Sequence, residues 1–135
     1  MPHALLQRVL DTEDTKDTKE GLDHSALGAG VLESACDACL YYELTQKGLQ
    51  FEHQLRLPVV YEGVQLSTAY RIDFIVENCL VVELKCVEKV LPVHRAQLLC
   101  YLRLSGHKLG LLLNFNTPHM RDGIHRIING PESEL

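Results

Sequence analysis

The spacing of apolar and polar positions divides the chain into a polar beginning and a patterned remainder. Asp11 to Glu20 contains no apolar residue and reads as a solvated, mobile segment, with Ala4 to Leu10 before it able to form one or two helical turns. Gly28-Ala29-Gly30 punctuates this region, so residues 1–27 are set apart from the rest of the chain. Val31, Leu32, Ala35, Cys39, Leu40 and Leu44 then approximate a helical stripe and predict a helix over Val31 to Lys47, with Gly48 suited to the left-handed residue that closes it. The period next changes to that of strands. Leu49–Val60 and Val64–Val76 flank Glu62-Gly63, which is turn chemistry, and Pro58 marks the first strand as an edge or a bulged one. Apolar runs meeting at Glu77-Asn78 signal a second hairpin, completed by Leu80–Val87.

Pro92 fits the first turn of a second helix, Pro92 to Leu104, closed by Ser105-Gly106. Leu109–Phe115 reads as a buried strand, Asn116-Thr117-Pro118-His119 as a loop, Ile124–Ile128 as a short last strand and Pro131–Leu135 as a tail. The order is helix, three-stranded antiparallel meander, helix, strand and a final strand. It predicts one α/β domain over residues 28–130, with helices flanking a mixed central sheet.

Chemistry enters through Tyr70 to Lys89. A turn at Asn78 brings Asp73 opposite or beside Glu83, and period-two alternation puts Lys85 on the face of Glu83. The surrounding strands are almost continuously apolar, as in strands buried on both faces. Like charges across a ladder are destabilising, and buried charge requires a partner. A divalent cation held by the two carboxylates resolves the conflict, since hard cations take oxygen ligands; a solvated ion pair is the competing reading. Glu33, in the first turn of the first helix, either complements the helix dipole or adds a third carboxylate. On the second helix, His94, Gln97 and Tyr101 share a stripe.

Composition narrows the function. With 135 residues there is room for one sizeable core, and 46% hydrophobic residues is ordinary for a globular protein. The formal net charge of −5 supplies no general attraction for a polyanion, so nucleic acid would have to meet a local basic patch or a metal. No apolar run approaches the ~18 residues needed to span a membrane. The start lacks a signal-peptide pattern, and the expected location is cytoplasmic. An odd count of five cysteines argues for reduced thiols, and Cys36 and Cys39 read as core residues rather than zinc ligands, which come in fours.

Asp73 followed by Glu83-Leu84-Lys85 resembles the Asp…Glu-x-Lys core of the PD-(D/E)XK nuclease superfamily, and the order of elements is similar to its restriction-endonuclease-like core. Gln97-Leu98-Leu99-Cys100-Tyr101 resembles the Q-x-x-x-Y element of the RecB-like branch. Gly30-Val31-Leu32-Glu33, Tyr70-Arg71-Ile72-Asp73, Val82-Glu83-Leu84-Lys85 and Ala96-Gln97-Leu98-Leu99 resemble the GxxExxY protein family more closely, over roughly residues 28–129. Two features depart from that pattern: Cys36 stands at the namesake tyrosine, and the polar Asp11–Glu20 segment lies where the family has an apolar helix, which is missing, shortened or replaced here.

The resemblance implies a nuclease in which Asp73, Glu83, the Leu84 carbonyl and Glu33 bind Mg²⁺ or Mn²⁺. Lys85 would orient water, and Gln97 and Tyr101 would position substrate or brace Lys85. His94, Arg95, His125 and Arg126 are candidates for phosphate contacts, with solvated surface charge as the alternative. Nucleic acid, with DNA favoured, is the expected partner. A homo-oligomer is also expected, because so small a domain offers little surface to a duplex. A catalytically inactive module that keeps the fold is the second class considered.

Overall fold

A computed structural model describes residues 24–117, 120–131, 133 and 135. The expectations for residues 1–23, for Pro118 and His119 in the loop and for residues 132 and 134 of the tail lie outside that description. The elements are α1 (His24–Gln46), β1 (Phe51–Tyr61), β2 (Val64–Val76), β3 (Leu80–Lys85), α2 (Pro92–Ser105), β4 (Leu109–Asn114), a 3₁₀ turn (Met120–Gly123) and β5 (Ile124–Ile128). The sheet runs in the order β1-β2-β3-β4-β5. Its first three strands form the antiparallel meander, α2 crosses over so that β4 lies parallel to β3, and β5 returns antiparallel.

Local chemistry explains most of these boundaries. Gly48 takes φ 69°; its N–H donates to Thr45 O at 3.0 Å, and Leu49 N–H donates to Leu44 O at 3.1 Å. This paired bond pattern ends a helix by satisfying its last carbonyls, and buried Leu44 and Leu49 lie in the same core. Glu62 and Gly63, and then Glu77 and Asn78, occupy the left-handed region in pairs (φ 50°, 76°, 51° and 53°), the geometry that matches strand twist in tight hairpins. Glu77 tolerates it because Gln50 holds it twice: Glu77 N–H donates to Gln50 O at 2.8 Å, and Gln50 N–H donates to Glu77 Oε2 at 3.1 Å. β1 is an edge strand with a register shift between Pro58 and Val60, where proline cannot serve a regular ladder.

Strand ends shift by one or two residues from the sequence reading (β1 starts at Phe51, β3 ends at Lys85), and the largest difference is at the first helix. α1 begins at His24 and runs through Gly28–Gly30 instead of starting after them. Two glycines inside a helix cost about 1 kcal/mol each relative to alanine, too little to halt a helix anchored further on by packing. The anchor is Cys36, Leu40 and Leu44, all buried against one face of the sheet with Phe74, Val82 and Leu111. The second core lies on the other face, where Leu98, Tyr101 and Leu102 of α2 meet Ile75, Val81 and Leu112. Cys36 and Cys86 are buried in the α1-side core, as small apolar residues would be, and none of the five cysteines is in a disulfide.

The two cores reveal an inversion in the first hairpin. Phe51 and Phe74 pack on the α1 side, whereas Leu55, Leu57 and Ile72 pack on the α2 side. Along a regular strand Ile72 and Phe74 would share a face. The exchange falls at Asp73 and at Gln54 across from it. That pairing is missing from a register otherwise continuous from Phe51 to Pro58, and Gln54 takes φ 53°. The outer part of the hairpin, from Leu55 to Ile72, is thereby turned relative to the sheet.

Beyond Lys85 the chain leaves the sheet but stays tied to it. Asn114, 2% exposed, accepts from Val87 N–H at 3.1 Å and donates to Val87 O at 2.9 Å, imitating a further rung. Its Oδ1 also accepts from Asn116 N–H at 3.2 Å. Asn114→Ala leaves these backbone groups without that partner. It is expected to lower unfolding free energy by about 1–3 kcal/mol with an unchanged denaturant slope. An unaltered midpoint in urea would show that Asn114 is not the tie.

Candidate active site

β2 and β3 pair only from Val76↔Leu80 to Phe74↔Val82, although both strands continue further. Past Phe74 they part, and two carboxylates occupy the fork. Asp73 N–H donates to Glu83 Oε1 at 2.9 Å, and Leu84 N–H donates to Asp73 Oδ2 at 2.8 Å. Each side chain thus accepts a backbone N–H that separated strands would leave unsatisfied. Both are buried, Asp73 to 7% and Glu83 to 5% exposure.

Burial sets the electrostatics. Desolvation pushes the Asp73 carboxyl above the usual range, with the Leu84 N–H working against the shift. Desolvation and then the charge of Asp73 push Glu83 up to about 8. A side-chain hydrogen bond between the two carboxyls adds to the rise. Glu33, half-buried on α1, is raised by burial and by Asp73, against the charges of Lys85 and Arg71. Glu33, Ser34, Asp37, Gln54, Arg71, Asp73 and Leu84 line a cleft of about 340 Å³.

Lys85 extends to α2, where its Nζ donates to Gln97 Oε1 at 3.0 Å. Gln97 also hydrogen-bonds the hydroxyl of Tyr101, one turn on, so a single amide links the lysine to the phenol. Burial, then the charges of Glu83 and Asp73, raise the Tyr101 phenol. Tyr70 packs on Tyr101 with ring centroids 5.8 Å apart. The fork, Lys85, Gln97 and Tyr101 are therefore brought together, and Glu33 approaches from the other helix.

The four phosphate-contact candidates are placed differently. His94 Nδ1 accepts from Leu91 N–H at 2.9 Å and so fastens the start of α2. Arg95 Nη1 donates to His125 Nδ1 at 3.2 Å, and burial followed by the charge of Arg95 lowers the His125 imidazole below its ordinary value. Arg126 alternates with His125 along β5 and faces the other side of the sheet.

Other residues enter the cleft without having been singled out from the sequence. Asp37 stands one turn beyond Glu33 and holds His53 Nε2 at 2.7 Å. The i, i+4 spacing could have found Asp37, and the i, i+2 spacing to Asp73 could have found Arg71. Nothing local marks Gln54.

Asp73 and Glu83 offer the oxygen donors that a hard divalent cation takes, in a setting that disfavours their bare charge. Each commits one oxygen to backbone, leaving the other as the donor a cation would use. Among the described residues, no group of three His, Cys, Asp or Glu side chains is already arranged to hold a metal ion.

The family model of the PD-(D/E)XK nuclease superfamily matches residues 23–127. The chain belongs to that superfamily, and its mixed sheet flanked by two helices is the superfamily's restriction-endonuclease-like fold. Among solved structures, the crystal structure of SSO0001 is similar in fold, with a TM-score of 0.56 and 22% identity. The likeness covers 95% of this chain and 64% of that one. No curated protein matches. Among the described residues, no helix is long and apolar enough to cross a membrane.

The raised Glu83 pKa carries a signed consequence. Between the usual carboxylate range and about 8, the folded protein holds a proton that the unfolded chain has released. The stability contributed by this group is complete below that window and is lost as pH rises through it. In EDTA the melting temperature is expected to fall from pH 5 to pH 8. Glu83→Gln, which keeps an oxygen for Asp73 N–H, is expected to flatten that fall. Parallel profiles for the two proteins would refute the assignment.

Proposed function

We propose that the protein is a divalent-metal-dependent nuclease that hydrolyses phosphodiester bonds, with DNA as the favoured substrate. The observation that carries this reading is the fork itself: two buried carboxylates, unfavourable as bare charges, beside a lysine tied to α2, in a chain of a nuclease superfamily. Mg²⁺ or Mn²⁺ would be held by Asp73 and Glu83, with Glu33 and the Leu84 carbonyl as further donors. The cation would neutralise charge on the phosphate oxygens and make hydroxide available near neutral pH.

The chain's own groups do the rest. Lys85 orients the attacking water and stabilises the hydroxide formed from it by charge, the proton passing to solvent. Gln97 fixes the ammonium through its carbonyl oxygen, and Tyr101 fixes Gln97, so both are positioning residues. Gln97 and Tyr101 at i, i+4 support the RecB-like branch, and the ordered motifs around Glu33, Asp73 and Glu83 support the GxxExxY family. Action as a homo-oligomer in the cytoplasm belongs to the same reading.

A second reading is favoured by one specific observation. The carboxylates close backbone hydrogen bonds at the fork, a structural task that would retain them in a non-catalytic interaction module. Lys85→Ala separates the two. In a nuclease it is expected to leave the Mn²⁺-induced rise in melting temperature intact and to lower cleavage by about 10²–10⁴-fold. Lys85→Arg would not restore full activity, because guanidinium is planar and effectively never deprotonates. The assay is a panel of single- and double-stranded DNA and RNA with Mn²⁺ or EDTA. Wild-type protein that binds Mn²⁺ yet cleaves none of them would decide for the module.

A further inference from the structure

The outer part of the first hairpin carries two arginines in register. Arg56 and Arg71 are direct Cα partners of β1 and β2. Their neighbours Leu55, Leu57 and Ile72 pack on the α2 side, and Tyr70 stacks on Tyr101 there, so alternation turns both arginines to the other side. On that side Arg71 lines the cleft with Glu33, Ser34, Asp37 and Asp73. Directly opposed residues in an antiparallel pair have Cβ atoms about 5 Å apart, and like charges there are destabilising.

The charges of Glu33 and Asp73 offset that repulsion in part, on the Arg71 side. Arg71 is 59% exposed, and its Nη2 comes only to 4.0 Å from Asp73 Oδ1. Arg56 is exposed and has no hydrogen bond or ion pair among the described residues. Two forked guanidinium groups side by side fit an anion with several oxygens, because each donates paired N–H groups. The chain carries a net charge of −5, and the cleft is lined with carboxylates, so a polyanion needs a cationic foothold beside it. Of the basic groups on α2 and β5, Arg95 and His125 bind each other and His94 fastens a helix end.

We infer that Arg56 and Arg71 form a phosphate-binding pair that holds the nucleic-acid backbone against the outer hairpin and leads it past the fork, an inference that rests on the nuclease reading. The pair reads charge and spacing, not base sequence, and its contribution is sensitive to salt. The inversion at Gln54 and Asp73 makes it possible. In a regular hairpin running on from Phe74, the arginines would be turned to the side of α2.

The test is fluorescence anisotropy of labelled single- and double-stranded DNA and RNA oligonucleotides in Ca²⁺, over a salt series. Arg56→Ala is expected to weaken binding several-fold and to reduce the slope of log K against log[salt] by about 0.7–0.9, the loss of one phosphate contact. Arg56→Lys, which keeps the charge, should retain most of the slope, and Lys89→Ala, at an exposed lysine outside the cleft, should change nothing. The Mn²⁺-induced rise in melting temperature should be the same in Arg56→Ala as in wild type. Wild-type binding with an unchanged slope in Arg56→Ala would overturn this inference and leave the nuclease reading standing. Equal losses in the Ala and Lys variants would trace the effect to hairpin shape and also overturn it. Failure of wild type to bind any of the oligonucleotides would overturn both readings.

Discussion

Everything around the site depends on how two strands are allowed to separate. A sheet that opens in its interior exposes backbone N–H groups where water cannot reach, and each orphaned donor costs as much as a lost hydrogen bond. Here the gap is closed by exchange: the Glu83 carboxylate takes Asp73 N–H, and the Asp73 carboxylate takes Leu84 N–H. The solution introduces a difficulty of its own, since two negative groups then sit together with little solvent. Their raised pKa values express that difficulty. The fork is consequently stable with a proton or with a cation, and least stable with neither.

The remaining elements hold the fork open and oriented. On one face α1 packs through Cys36, Leu40 and Leu44, which brings Glu33 and Asp37 to the cleft. On the other face α2 packs through Leu98 and Leu102, and Gly110 of β4 lets it lie close; a Cβ there would stand 3.1 Å from Leu98. That close approach sets Gln97 and Tyr101 over Lys85. Asn114 secures the chain just past Lys85 from the neighbouring strand. A lysine at a strand end would otherwise be free to swing, and its link to Gln97 would not persist.

The chain belongs to a nuclease superfamily, yet a carboxylate pair with a structural task cannot by its presence alone separate an enzyme from a module. The surroundings carry more of the argument. Lys85 is directed to a glutamine whose other end serves a buried tyrosine, an arrangement that packing alone does not require. Arg71 borders the cleft with a side chain 59% exposed, and Arg56 stands opposite it in the hairpin.

The sequence by itself determined the order of the elements and the turns between them, because those are decided over a few residues. Gly48 and Gly106 supply left-handed caps, Glu62-Gly63 and Glu77-Asn78 supply tight turns, and Pro92 starts α2. It also determined that Asp73 and Glu83 would meet, since a short turn leaves one register, and that Gln97 and Tyr101 would share a helix stripe. The tertiary structure alone decided where α1 starts, because helix packing outweighs two glycines. It alone decided the exchange of faces at Gln54 and Asp73, which no local pattern marks, since every other residue of β1 stays less exposed while the covering helix changes. The places of Asp37 beside His53 and of Arg95 with His125 result from that packing. Each joins residues far apart in the chain, and only the three-dimensional arrangement of the sheet and its two helices brings them within reach.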